Sequence, residues 1–250
     1  MKFGTFSLPH VLNVVHDQPR IQVELPLSSA SFSYREDVGG RGARFTARGE
    51  IRPTSQATRD QISALADGTA RVLDLEETTL TVLEKCLRFQ TGPTWTDNTA
   101  ESQSAGGTPF TLLGASSDYA YFGHREKFNK TQFDLETLGN YGARTWEYSK
   151  GDGTWGTLTI DIDGTSGFSQ DGTVLFTPPS DWKRDTVNSI SNKFWVRVKV
   201  ASVTTPATVN QIQINTVYAC IMLDPHFEQA VERYNRQSYA VTFAQKEDIA

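Results

Sequence analysis

Hydrophobic and polar residues alternate along most of the chain, which is the pattern of β-strands with one buried face. Near the N-terminus, RIQVEL (20–25) and ARFTARGEI (43–51) show this period of two. From Tyr119 to about Ile214, short alternating segments recur, separated by turn residues. They include TLTIDID, GTVLFTPP, KFWVRVKV and NQIQINTV. Short strands repeated in this way predict an antiparallel β-sandwich or jelly roll.

One segment has the period of a helix instead. Thr58 and Gln61 have the spacing of a capping box, and Gly68 stands where a C-terminal cap belongs. The apolar stripe between these signals consists of Ile62, Leu65 and Ala66. The stripe is short, so we expect one short helix that lies flat across a sheet. Near the C-terminus, DPHFEQAVERYNR (224–236) is a second candidate helix, and it is followed by the alternating segment QSYAVTFAQK.

The composition changes at about residue 90, where a stretch rich in Ser, Thr, Gly and Pro begins. The final YAVTFAQK shows the same alternation of apolar and polar residues as RFTARGEI near the N-terminus. We therefore predict a mainly β chain in which a split β domain with one short helix, 1–95 and 216–250, carries an inserted antiparallel β-sandwich (jelly roll), 115–215. Residues 96–114 are predicted to be a linker. Two domains in tandem would leave the final strand without a partner.

Composition and charge exclude several classes of function. The chain has 250 residues, with 24 basic and 29 acidic side chains and a net charge of −5. No block of Lys and Arg stands out, so sequence-specific nucleic-acid binding is not expected. No run approaches the ~18 apolar residues of a membrane span, and the first residues do not resemble a signal peptide. We expect no membrane insertion and assembly in the cytoplasm.

Metal, cofactor and catalytic signatures are weak. Cys86 and Cys220 have no CxxC partner, and the histidines show no metal spacing, so we expect two buried thiols, no metal and no cofactor. The segment DIDGTSGFSQDG (161–172) is rich in Asp and Gly, but Gly172 stands where an EF-hand needs Glu. A solvated turn is favoured there over another type of calcium site. No nucleophile or pair of tuned carboxylates emerges, so no catalytic residue is expected and the chain is not expected to be an enzyme.

The hairpin RTWEYSKGDGTWGTL (144–158) carries the candidate contact residues. Trp146 and Tyr148 are two positions apart and share one face of a strand. They are either the inner face of the sandwich, which we favour, or an exposed platform for a sugar ring. Trp155 lies just past the Gly-rich turn that contains Asp152. These two are the candidates for contact with a ligand or a partner at the hairpin tip.

Two stretches resemble a known family. FTARGEIRPTSQATRDQISALADGTARVLDL (45–75) resembles the ring, or belt, domain of phage distal tail proteins, and YAVTFAQK resembles its closing strand. The span from Tyr121 to Ile212 looks like a galectin-like or jelly-roll accessory module of phage tail-tip and baseplate proteins. The pieces that carry this likeness are KFNKTQFDL, TWEYSKGDGTW, FTPPSDW and FWVRVKV.

The resemblance implies a structural protein of the virion tail, commonly a homo-hexameric ring between the tail tube and the host-recognition apparatus. The implied partners are further copies of the chain and the tail-tube and tail-tip or baseplate proteins, with a cell-surface glycan as a candidate for the inserted module. In many such proteins the module follows the belt, whereas here it precedes the last belt strand. Other baseplate rings therefore stay open as assignments, and a carbohydrate-binding protein acting in receptor recognition is the alternative.

Overall fold

A computed structural model describes residues 2–9, 11–17, 22–26, 33–37, 44–51, 56–74, 80–223, 225–228 and 237–245. The chain is mainly β with antiparallel sheets, which confirms the predicted fold class. It forms two compact units. The first consists of Met1–Glu76 and Tyr218–Ala250, and the second consists of Glu77–Val217.

The elements follow in chain order. The first unit begins with β1 Lys2–Phe3, β2 Phe6–Ser7, β3 Val11–Asp17, β4 Gln22–Pro26, β5 Ser33–Asp37, β6 Arg44–Ile51, α1 Gln56–Ala64 and β7 Arg71–Asp74. The second unit contains β8 Thr81–Val82, β9 Lys85–Gln90, β10 Thr94–Asp97, α2 Thr99–Gln103, β11 Phe110–Thr111, β12 Tyr119–His124, β13 Phe128–Thr137, β14 Asn140–Tyr141, β15 Arg144–Ser149, β16 Trp155–Thr157, β17 Ile162–Asp163, β18 Gly172–Leu175, β19 Arg184–Val187, β20 Ile190–Val200, β21 Val203–Thr205 and β22 Thr208–Thr216. The first unit ends with β23 Tyr218–Met222, β24 His226–Glu228 and β25 Gln237–Gln245.

The first unit is built on one antiparallel sheet in the order β2-β1-β7-β23-β25-β6-β3, with β24 also paired to β25. The last strand, β25, pairs with β6 along its length, from Gln237 opposite Ile51 to Ala244 opposite Arg44. Its other side pairs with β23 and β24. The strand therefore lies inside the sheet, and its apolar positions join the core of the unit, which contains Phe3, Leu8, Ala47, Ile62, Leu73, Cys220, Met222, Tyr239, Val241 and Phe243.

The predicted helix is present, with a shifted start. It begins at Gln56, two positions before Thr58, and Ile62 is fully buried in the core of the first unit. A tighter turn follows it, in which the Leu65 N–H donates to the Ile62 carbonyl. Gly68 then takes a positive φ of 75°. The second candidate helix is wrong at its start, because His226–Glu228 pairs as a strand; residues 229–236 lie outside the described residues.

The second unit is a sandwich of two sheets. One has the order β10-β9-β12-β20-β15-β16, with β19 on β20. The other has the order β11-β22-β13-β18-β17, with β8 on β22. Alternation assigns the two faces of β20: Val196, Val198 and Val200 join the core between the sheets, so the side chains between them point to the outer face. A separate two-stranded ribbon is formed by β14 with β21 in this unit, and another by β4 with β5 in the first unit.

The unit boundary differs from the predicted one. Residues 77–95 belong to the second unit, where β9 lies between β10 and β12. The stretch 96–114 is not a linker either: it holds the end of β10, then α2 and β11. Three apolar side chains from this stretch, Phe110, Leu112 and Leu113, are buried in the sandwich core. Their burial outweighs the Ser- and Gly-rich composition that suggested a linker.

The chain enters and leaves the inserted unit through neighbouring strands. Within the second unit, Thr81 of β8 pairs with Ile214 of β22. Within the first unit, Leu73 of β7 pairs with Tyr218 of β23. In each unit, the two strands nearest the boundary are therefore paired with each other. Chain ends that lie close together allow one domain to be inserted into another without disturbing it.

Candidate functional site

Trp146 and Tyr148 lie in the sandwich core. Their side chains are 6% and 8% exposed, and both join the cluster between the two sheets. The Trp146 ring lies 6.1 Å from the ring centroids of Phe122 and of Phe168. At the rim, the Tyr148 hydroxyl donates a hydrogen bond of 2.7 Å to the Asp181 carboxylate. Of the two interpretations of the hairpin, the first is therefore correct for Trp146 and Tyr148, because both side chains lie on the inner face of the sandwich.

The hairpin tip is a closed turn. The Lys150 N–H donates to the Thr154 carbonyl at 3.1 Å, and Gly151 and Gly153 take positive φ values of 86° and 78°. Hydrogen bonds from the Thr154 side chain and backbone lower the pKa of the Asp152 carboxyl below its ordinary value. Asp152 is exposed at the tip, but one of its oxygens already accepts from Thr154 to hold the turn.

Trp155 lies elsewhere than the sequence suggested. It is half-buried rather than projecting from the tip, and it packs on the outer face of the sheet that contains β16. Its ring lies 4.0 Å below the guanidinium of Arg197 and 5.6 Å from the ring of Tyr121. The reason is the strand: Trp155 begins β16, so its side chain points to one face of the sheet.

Trp155 belongs to a cluster of aromatic and cationic side chains that we call the aromatic face. It lies on the side of the sheet away from the sandwich core. We define it by Trp95, Tyr119, Tyr121, Trp155, Arg197 and Lys199. Ring centroids of Trp95 and Tyr121 are 5.1 Å apart, and those of Tyr119 and Tyr121 are 6.1 Å apart. Most sandwich strands carry polar side chains on their outer face, so an aromatic cluster there is unusual.

Arg197 is the centre of the aromatic face. Its Nε donates a hydrogen bond of 2.8 Å to the Glu147 carboxylate, and its guanidinium lies 4.6 Å from the Tyr119 ring. Stacking between aromatic rings and pairing with a carboxylate both suit a planar guanidinium. Burial raises the pKa of the Tyr121 hydroxyl, and the nearby Arg197 opposes this shift in part. The charge of Arg197 is thus compensated by Glu147.

Lys199 is placed differently, two positions further along β20. Its Nζ lies 3.5 Å from the Tyr119 hydroxyl and 5.5 Å from the centre of that ring. On the neighbouring strand, Thr145 lies directly opposite. Among the residues that the structure describes, no carboxylate forms an ion pair with Lys199. The aromatic face therefore combines ring surfaces and hydroxyl groups with one positive charge that Glu147 does not balance.

The sequence contains a signal for the aromatic face in two of its strands. In YAYFGH (119–124), Tyr119 and Tyr121 occupy one face of the strand while Phe122 occupies the other. In FWVRVKV, Arg197 and Lys199 alternate with core valines. Large aromatic residues on both faces of one strand indicate that the outer face is not simply solvated. What the sequence could not supply is which strands lie side by side.

The Asp- and Gly-rich loop uses its carboxylates internally. One oxygen of Asp163 accepts hydrogen bonds from the Thr165 N–H at 3.0 Å and from its hydroxyl at 2.6 Å, and the other accepts from the Gly167 N–H. Asp171 accepts from the Leu135 N–H at 2.8 Å. Within the described residues, no group of three or more His, Cys, Asp or Glu could hold a metal ion.

A shallow open cleft of about 430 Å³ lies beside this loop. Its lining residues are Gln132, Phe133, Asp134, Gly164, Asp171, Gly172 and Thr173. Phe133 is only 1% exposed, and Asp171 already accepts from the Leu135 N–H. The cleft is shallow, its lining is a mixture of polar and apolar surface, and the aromatic face is the stronger candidate for a binding surface.

The structure also gives the positions of the two cysteines considered in the sequence analysis. Cys86 on β9 and Cys220 on β23 are both buried, as predicted, and neither forms a disulfide within the described residues. Burial raises the pKa of the Cys86 thiol well above its ordinary value. Neither helix in the described part of the chain has the length and apolar character needed to cross a bilayer.

No protein-family model matches the chain, and no curated protein matches it.

Proposed function

We propose that this chain is a structural component of a phage-like tail tip or baseplate. In this role it assembles as a homo-oligomeric, hexameric ring in the host cytoplasm and joins the tail tube to the host-recognition apparatus of the virion. The proposal originates in the resemblance of 45–75 and YAVTFAQK to the belt domain, and of 121–212 to an accessory module. The split organisation, with the sandwich inserted before strands β23, β24 and β25 of the first unit, supports it.

The observation that carries the ring is the free edge of the first unit's sheet. The seven-residue strand β3 ends the sheet, with β6 on one side and no strand of the described residues on the other. Leu12 on this strand is 69% exposed. A long edge strand with an exposed apolar side chain is a template for pairing with another chain, and closing a ring removes such edges.

The test is the mass of the particle in solution. We expect the purified protein to form a hexamer by light scattering and native mass spectrometry, and a ring by negative-stain electron microscopy. Leu12→Lys should lower the mass toward that of a monomer, because an edge lysine opposes edge-to-edge pairing. Leu138→Lys is the matched control, since Leu138 is also exposed, at 53%, but lies in the second unit. A monomer at high protein concentration, or equal effects of the two variants, would contradict the proposal.

A second candidate function is carbohydrate binding in receptor recognition, and the aromatic face favours it. Side chains with an apolar ring and a polar tip, such as Tyr119 and Trp155, provide both the flat surface and the hydrogen bonds that sugars need. The two functions are compatible, because the ring belongs to the first unit and the aromatic face to the second. In neither role is the protein an enzyme.

A further inference from the structure

We infer that the aromatic face binds an acidic saccharide, with Lys199 recognising the carboxylate of a uronate or similar sugar. The inference deepens the second candidate function and rests on it. It does not depend on the assembly of the chain into a hexameric ring. It assigns a site and a ligand class to the outer face of the sheet that contains β12, β20 and β16.

The rings supply the surface for the sugar. Trp95, Tyr119 and Trp155 are each half-buried, so they are held in place by packing and still reach solvent. Tyr121 lies beneath them and is 6% exposed. Rigid aromatic side chains lose little conformational entropy on binding, and their faces suit the C–H surface of a pyranose ring.

Charge selects an acidic sugar over a neutral one. Arg197 is held between Tyr119 and Trp155 and is paired with Glu147, so its charge is already balanced. Lys199 is the next outward residue on the same strand, and no described carboxylate pairs with it. An ammonium group beside the ring and the hydroxyl of Tyr119, with Thr145 opposite on the neighbouring strand, is complementary to a sugar that carries a carboxylate.

The surface also fits a saccharide better than a protein partner. Arg197 and Glu147 form an ion pair at its centre. Only 17% and 18% of their side-chain surfaces are exposed. The accessible part is thus a small group of aromatic side chains with one amine beside Tyr119. Stable protein interfaces need about 800 Å² from each partner with a well-packed apolar centre. A few sugar units need far less surface.

The experiment compares an acidic with a neutral oligosaccharide on the full chain. We expect trigalacturonate to bind by calorimetry with an affinity at least tenfold higher than that of maltotriose at low salt, and the difference to shrink at high salt. Lys199→Gln should weaken trigalacturonate binding about tenfold, the typical effect of losing one charge-assisted hydrogen bond. Lys130→Gln on the other sheet is the matched control and should leave the affinity unchanged.

Each other outcome overturns the inference in a distinguishable way. If trigalacturonate and maltotriose bind equally, or Lys130→Gln weakens binding as much as Lys199→Gln, the charge of Lys199 does not select the ligand. If no saccharide binds and Lys199→Gln lowers the mass of the assembly, the face is a contact between copies of the chain. If no saccharide binds and the mass is unchanged, carbohydrate binding fails as a function while the ring stands.

Discussion

Tyr148 and Trp155 lie on opposite faces of one hairpin, and this decides what a substitution at each position removes. Tyr148 fills the sandwich core, so Tyr148→Ala should lower the free energy of unfolding of the second unit by about 3–5 kcal/mol. Tyr148→Phe removes only the hydrogen bond to Asp181 and should cost about 1 kcal/mol. Trp155→Ala loses the stacking on Arg197 and should cost about 1–2 kcal/mol.

Urea denaturation followed by tryptophan fluorescence measures these changes. All five tryptophans lie within Glu77–Val217, so the signal reports the second unit. Trp155→Phe is the control that keeps a ring next to Arg197. The assignment of faces would be inverted if Trp155→Ala unfolded the unit while Tyr148→Ala left its midpoint unchanged.

The stability of the second unit should depend on pH through His124. This side chain is 4% exposed, its burial lowers its pKa, and Glu84 opposes the shift in part from 3.8 Å. Burial raises the pKa of Glu84 itself, but the hydrogen bond from Lys193 and the charges of Lys193, His124 and Arg125 together outweigh it, so the net shift is downward. Both groups are therefore easier to protonate in the unfolded chain.

A lowered pKa in the folded state means that stability is full above the unfolded value and falls as the pH drops. We expect the loss to begin below the ordinary histidine pKa of about 6.5, with Glu84 adding to it below its own ordinary value of 4.5. His124→Gln cannot titrate and should flatten the profile between about pH 6.5 and 5. Urea midpoints measured across this range test it, and an unchanged slope in the variant would rule out His124 as the cause.

Strand β25 holds the first unit together at the scale of elements. It lies between β6 on one side and β23 and β24 on the other, and Val241 and Phe243 are fully buried. Removing residues 237–250 should therefore unfold the first unit and abolish assembly, because backbone groups on both flanks lose their partners. Removing only 246–250 is the control, since it leaves β25 intact.

Hydrogen exchange of β6 measures the loss. We expect its amides to lose protection in the longer truncation, while tryptophan fluorescence still reports cooperative unfolding of the second unit. Normal assembly of the longer truncation would show that β25 is dispensable.

Local pattern predicted the elements better than their partners. Alternation identified β6, β20 and β25, and the capping signals located α1 to within two residues at its start. Composition misled at 96–114, because a Ser- and Gly-rich stretch also supplied buried Leu112 and Leu113. The aromatic face was missed because it depends on strands distant in sequence: Tyr121 and Glu147 both lie opposite Arg197. Such register is a property of the sheet and is not written in any single segment.

At the scale of the whole molecule, the boundary of the inserted unit determines which fragment can fold. The predicted boundaries, 115–215, omit β9, which lies between β10 and β12. They also omit core side chains that precede residue 115, namely Leu83, Cys86, Phe110, Leu112 and Leu113. A fragment of 77–217 includes them and retains the pairing of Thr81 with Ile214 near its two ends.

We therefore expect residues 77–217 to fold alone, with a cooperative urea transition whose midpoint lies close to that of the second unit in the whole chain. Residues 115–216 should not fold, because losing one interior strand exposes backbone groups and several apolar side chains together. Near-ultraviolet circular dichroism and tryptophan fluorescence of the two fragments make the comparison. Both contain Trp146, Trp155, Trp182 and Trp195, and the longer fragment also contains Trp95, so the comparison uses the cooperativity of each transition rather than the size of its signal. Cooperative folding of the shorter fragment would mean that β9 and the segment after it are an attachment to the sandwich rather than a part of its core.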